Sequence, residues 1–178
     1  MNGFVSIWPE HAHALPRASR CLLGWHRLHI HGGGGPMPQE AIACVEEWLL
    51  LKGHVEESFL VALCFDSYLR TGEAFALRVE DVVVLRDASG AVLDVTLRIG
   101  VAERGESAKT GMRQGVRVDS PHVVDLLVSR LSAEAGPKEK LIHSHPSTFS
   151  QRWRDALASL GIPYAPPHSL RHSGPSHD

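Results

Sequence analysis

The 178 residues contain no C-x-x-C pair, no apolar run long enough to cross a bilayer and no excess of basic charge. Each absence excludes something. The three cysteines, Cys21, Cys44 and Cys64, are odd in number and widely spaced, so neither a disulfide framework nor a cysteine zinc site is indicated. Cys44 and Cys64 stand in apolar, helix-like stretches and read as buried free thiols. The apolar stretch around Trp48 to Leu51 is far short of the roughly 20 residues a membrane helix needs. The opening MNGFVSIWPEHAH has neither a basic leader nor an apolar core, and the expectation is a soluble intracellular protein. A net charge of −2 and a pI near 6.6 leave no overall basic footprint, so any nucleic-acid role must rest on local placement of arginine and lysine.

Histidine is plentiful, with 12 in the chain and H-x-H pairs at His11/His13, His29/His31 and His143/His145. Such a pair shares one face of a strand and can grip a metal. Without cysteine or a third ligand at helical spacing, solvated loop histidines are the better reading, and no metal or cofactor is expected.

The organisation follows from periodicity and breakers. Residues 15–30 carry Leu22, Leu23, Trp25 and Leu28 at near-helical spacing, and Gly32 to Gly35 followed by Pro36 form a linker. The chain divides there into residues 1–35, a short helical remnant plus linker, and residues 36–178, the main domain. An amphipathic helix is expected from Pro38 to Leu51, ended by Gly53. A more uniformly apolar, buried helix follows over Glu56 to Leu69, then a helical turn or two from Thr71 to Leu77.

Val82 to Leu85, Asp87 to Gly90 and Val92 to Ile99 spell strand, turn, strand, and Val116 to Val118 a third strand. Ser120-Pro121 starts a helix running to about Ala135. Ser147 or Thr148 caps another, through Leu160, closed by Gly161. The fold class is α+β, mainly helical, with a small antiparallel three-stranded sheet.

Three stretches carry chemistry. Leu69-Arg70-Thr71-Gly72-Glu73 runs on into Leu77-Arg78-Val79-Glu80-Asp81-Val82. Ala108-Lys109-Thr110-Gly111 precedes the third strand. Pro167-His168-Ser169-Leu170-Arg171-His172 follows a helix bearing Phe149, Arg152, Trp153 and Arg154. Arginine has a planar fork that holds two phosphate oxygens and never loses its charge. Lysine and histidine can move protons near neutral pH.

In order and spacing these stretches resemble the conserved boxes of the tyrosine recombinase (phage integrase) catalytic domain, over Leu69 to Ser173. The resemblance implies a DNA breaking-rejoining fold and site-specific DNA cleavage and rejoining, for recombination or integration, through a 3′-phosphotyrosine. It implies Arg70 and Arg171 as the phosphate clamp, Lys109 as general acid and His168 as an aid to proton transfer. Glu73 and His172 would support them, and Arg113, Arg117, Arg152 and Arg154 would contact DNA. Duplex DNA is the implied partner, with self-association on DNA as in the family.

The family places its tyrosine a few tens of residues beyond H-x-L-R-H. Here the only tyrosines are Tyr68, read on the buried helix, and Tyr164, in the proline-rich connection. The expectation is therefore a partial catalytic domain that is inactive alone, preceded by a remnant of a core-binding domain. A type IB topoisomerase-like domain, or a helical interaction module without a DNA role, are the alternatives.

Overall fold

The computed structural model describes residues 36–101, 104, 114–133 and 136–173, the side chains of His172 and Ser173 excepted. The helix expected over 15–30, the linker, Cys21, Lys109 and Arg113 lie outside the described residues.

Helix α1, Gln39–Leu51, buries Ile42, Val45 and Leu49, one stripe at helical spacing. Its end is set by Gly53, whose φ of 75° is open to glycine at little cost. That geometry lets Gly53 N donate to Leu50 O and His54 N to Leu49 O, satisfying two terminal carbonyls. Cys44, expected in the core, is exposed on this helix: it lies off the buried stripe. Cys64 is buried as expected, and burial pushes its thiol pKa up.

Helix α2, Val55–Asp66, is buried from Glu57 through Cys64 on all sides. It packs against α1 and against three later helices, α3 (Thr71–Ala76), α4 (Pro121–Ala133) and α6 (Leu170–Ser173). It ends three residues before the expected Leu69. Tyr68 takes a φ of 54°, a left-handed turn that redirects the chain, so Tyr68 lies outside the helix. Arg70 is then extended (φ −70°, ψ 144°) and opens α3.

The sheet is three-stranded and antiparallel in the order β1 (Val82–Arg86), β2 (Val92–Ile99), β3 (Gln114–Arg117), with Val84 opposite Val95 and Thr96 opposite Arg117. The β1–β2 turn is tied by Asp87, whose carboxylate accepts from Ser89 N (2.8 Å) and Ala91 N (2.9 Å). Val95, Leu97 and Ile99 point inward at period two. Ladder pairing continues past β3, where Val118 N donates to Val95 O.

At the start of α4, Ser120 N and Asp119 N donate to the Asp66 carboxylate at 2.9 and 3.3 Å, so the end of one helix caps the next. Helix α5, Pro146–Ser159, is capped two residues before Ser147, the earlier of the two expected caps. His145, and neither Ser147 nor Thr148, is the cap: its Nδ1 accepts from Ser147 N at 3.3 Å, with Pro146 at the first helical position. Gly161, at φ 66°, closes α5 as Gly53 closes α1. No described helix is long and apolar enough to cross a membrane.

Candidate functional site

Arg70 and Glu73 sit at the two ends of one turn. Arg70 N donates to Glu73 Oε2 (2.8 Å), and Arg70 Nη1 donates to Glu73 Oε1 (2.7 Å). The first bond satisfies an orphan donor at the start of α3; the second fixes the guanidinium over the same carboxylate. Arg171, on α6, comes to the other side of that group, its Nη1 3.8 Å from Glu73 Oε2. Glu73 is 15 % exposed against 34 % for Arg70 and 29 % for Arg171, so the carboxylate lies beneath while both forks keep an edge toward solvent.

The segment that brings Arg171 there is held by a core contact. Trp153 of α5 is fully buried, and its indole N–H donates to Ala165 O at 2.7 Å. Ser169 and Leu170 are buried beyond it, and His168 is turned outward on a 3₁₀ turn, Pro167–Ser169. The structure thus brings Arg70, Glu73 and Arg171 together, with His168 on the segment that delivers Arg171.

The arginines expected to contact DNA fall in different surroundings. Arg154 is exposed on α5 and its Nε donates to Ser150 O. Arg152 is partnered internally: Nη1 donates to Glu57, whose carboxylate is almost wholly buried and also accepts from Ser144 Oγ. Burial would raise the Glu57 pKa, but bonds from Ser144, the backbone and Arg152 outweigh it and hold the carboxyl below the usual range. Arg117, on the exposed face of β3, lies between Asp94 (2.8 Å) and Asp119 (3.2 Å). Its positive charge is largely offset there.

Sequence reasoning missed Glu57, which stands beside Glu56 in the first turn of α2, an ordinary place for an acidic residue. It also missed Arg104, which reaches Asp81 (2.7 Å) and Glu80 (3.2 Å). Tyr68 lines a separate cavity of about 370 Å³ with Glu46, Asp66 and His122, between α1, the end of α2 and the start of α4. Burial raises the Glu46 pKa to about 7. Tyr164 is 59 % exposed. His145 is the cap of α5, and no group of three metal-ligating side chains occurs among the described residues.

No protein-family model matches the chain, and no curated protein matches it. Among solved structures it is similar to XerA recombinase, with a TM-score of 0.56 at 16 % identity over 83 % of this chain and 50 % of that one. It is also similar to XerH site-specific recombinase bound to difH substrate in a pre-cleavage complex: TM-score 0.57, 16 % identity, 82 % of this chain and 44 % of that one. A post-cleavage XerH complex on palindromic difH gives 0.57 at 15 % identity over 84 % and 45 %. The chain spans about half the length of these structures. The mainly helical α+β architecture with its three-stranded antiparallel sheet is therefore the fold these site-specific recombinases share.

Proposed function

We propose that this chain is part of the catalytic domain of a tyrosine recombinase, acting on duplex DNA. The observation that carries the reading is the meeting of Arg70 and Arg171 on the carboxylate of Glu73. A phosphodiester under attack spreads negative charge over its non-bridging oxygens, and two preorganised guanidinium forks stabilise that charge. Glu73 fixes the Arg70 fork beside Arg171 before DNA arrives, so less ordering is left for the binding step.

In this reading Lys109 protonates the 5′-oxygen that leaves when the strand breaks, and His168, turned to solvent beside Arg171, assists proton transfer at the same phosphate. His172 supports the arginine segment, Arg113 and Arg154 add backbone contacts to the DNA, and Arg117 and Arg152 do so by exchanging the carboxylates that hold them. The attacking tyrosine is supplied from beyond His172 in the family's order, outside these 178 residues. Copies of the full protein associate on DNA.

The test is fluorescence anisotropy with a labelled duplex. Salt-sensitive, largely sequence-independent binding is expected, because contacts to phosphate dominate such affinity. An Arg70→Ala, Arg171→Ala double variant that folds normally should weaken it by about tenfold or more, in line with two lost charge-assisted contacts. Absence of binding at low salt, or binding indifferent to both arginines, would leave a helical interaction module as the better account.

A further inference from the structure

The cavity between α1, the end of α2 and the start of α4 contains a carboxylate that its surroundings leave uncompensated. Gln39, Ile42, Ala43 and Glu46 line it from α1, at the i, i+3, i+4 and i+7 positions of one helical face. Ala62 and Phe65 line it from α2, and Val123 from α4. Ile42, Ala62 and Val123 are buried, so much of the wall is hydrocarbon. The Glu46 turn is pinned to α2, because Ser58 Oγ donates to Glu46 O at 3.1 Å.

Three carboxylates reach this cavity, and two are already engaged. Asp66 accepts from Ser120 N at 2.9 Å and Asp119 N at 3.3 Å, and so caps α4. Asp119 is 74 % exposed and lies 3.2 Å from Arg117 Nε. The Glu46 carboxylate meets no ion-pair partner and no hydrogen-bond donor among the described residues, and burial raises its pKa unopposed, to about 7. No lysine or arginine lines the cavity, and His122, its one basic group, is exposed.

A carboxylate held in half-apolar surroundings is costly until a partner arrives. The partner it lacks is a cation, and the walls call for one with an apolar body. A metal ion suits them poorly: no group of three metal-ligating side chains occurs among the described residues. An organic ammonium meets both demands, with its charge at Glu46 and its stem against Ile42, Ala62 and Val123. The rings of Phe65 and Tyr68 in the same wall are favourable neighbours for such a cation. The volume, about 370 Å³, falls at the small end of the range for ligand sites.

We propose that this cavity binds a small organic cation, a protonated amine on a short apolar stem, with Glu46 as its counter-charge. None of Arg70, Glu73 and Arg171 lines it, so the proposal stands independently of the DNA reading.

The probe is n-butylamine, titrated into the full chain and followed by amide chemical shifts. 1-Butanol, with the same stem and no charge, is the comparison. At about pH 8, butylammonium should shift amides of α1 and of the start of α4 saturably. 1-Butanol should bind about tenfold more weakly or worse, and Glu46→Gln should lose about tenfold or more of the butylammonium affinity. Affinity should also fall about tenfold or more between about pH 8 and about pH 5.5, because Glu46 then takes up a proton that the ammonium must displace. The other titratable groups on this cavity are Asp66 and Tyr68 at the end of α2, and Asp119 and His122 at the start of α4. His122→Gln should keep the fall with pH, and Glu46→Gln should abolish it.

Ala43→Phe, at an exposed position of α1, narrows the cavity without touching a carboxylate. It serves if Glu46→Gln fails to fold, and should weaken butylammonium about tenfold. Three results would each overturn the proposal: no saturable binding by the wild-type chain at about 50 mM butylammonium, equal binding of 1-butanol, or unchanged butylammonium affinity in either folded variant.

Discussion

Arg70 and Arg171 approach opposite oxygens of one carboxylate, Arg70 Nη1 at 2.7 Å from Glu73 Oε1 and Arg171 Nη1 at 3.8 Å from Glu73 Oε2. The unequal distances mean that Glu73 is firmly tied to Arg70 and only loosely to Arg171. Glu73 also accepts the backbone N–H at the start of α3, so it serves the helix and the guanidinium groups at once.

Glu73→Ala is expected to cost about 1 kcal/mol of stability, the usual worth of a lost helix cap, with little added by the half-exposed ion pair. Urea denaturation measures it. Glu73→Gln, which can still accept the backbone bond, should recover most of the loss; an equal loss in both variants would show that charge, and not capping, dominates.

Glu57 makes the protein acid-labile. Its folded-state pKa lies below the ordinary glutamate value of 4.5, so its contribution is fully present above that value and fades as pH falls through the lower folded one. Removing its partner by Arg152→Ala leaves a buried carboxylate short of one of its two side-chain donors, a loss on the order of 3 kcal/mol. Thermal midpoints of wild type and Glu57→Gln should converge on acidification below pH 4.5. Parallel curves would show that Glu57 is not the titrating group.

Glu46 acts in the opposite direction. Its pKa rises from 4.5 to about 7 on folding, so the folded state holds the proton more tightly and stability declines as pH climbs between those values. The shift corresponds to a few kcal/mol at most, since each unit is worth about 1.4 kcal/mol. Glu46→Gln should flatten this decline. Melting curves across pH 4.5 to 8 with identical slopes in wild type and variant would contradict the assignment.

Trp153→Phe keeps an aromatic ring in the core but strips Ala165 O of its donor. A cost of about 1–3 kcal/mol is expected, the desolvation penalty of an unsatisfied buried carbonyl. Amide hydrogen exchange should speed up at Leu170 and Arg171 while α1 keeps its protection. Uniform acceleration throughout the domain would instead mark a loss of global stability.

Much of this architecture was legible because its signals are local. Gly53 and Gly161 ended α1 and α5 where expected, the Asp87 turn joined two strands, and the order helix, sheet, helices followed from periodicity. Arg70 and Arg171 stood out through the motifs around them. What stayed hidden is non-local. Nothing near Asp81 in sequence names Arg104 as its partner, and the backbone bonds that lace residues 77–80 to residues 137–141 join stretches with no shared pattern. Tyr68 carries no glycine-like signal, so nothing local marks the left-handed turn that ends α2 at Asp66. The apolar neighbours of Cys44 point to the core, yet one position around the helix separates it, exposed, from buried Val45. The same blindness hid the commitment of Arg152 to Glu57, since helical spacing gives a face and not an occupant.

The pairing of these arginines with carboxylates alters what a salt titration would read. Arg70 has Glu73, Arg152 has Glu57, Arg104 has Asp81, and Arg117 has Asp94 and Asp119. In the proposed role, a polyanion arriving at these four arginines must trade places with, or share, a resident acid. Counterion release from the DNA is then offset in part by cations gathering around the freed carboxylates. The slope of log affinity against log salt should therefore be shallower than the roughly 0.9 per contacted phosphate that unpaired cations would give. In the proposed role, affinity at these arginines is a matter of exchange, and selectivity among anions follows from which of them can match the geometry of the acid it displaces.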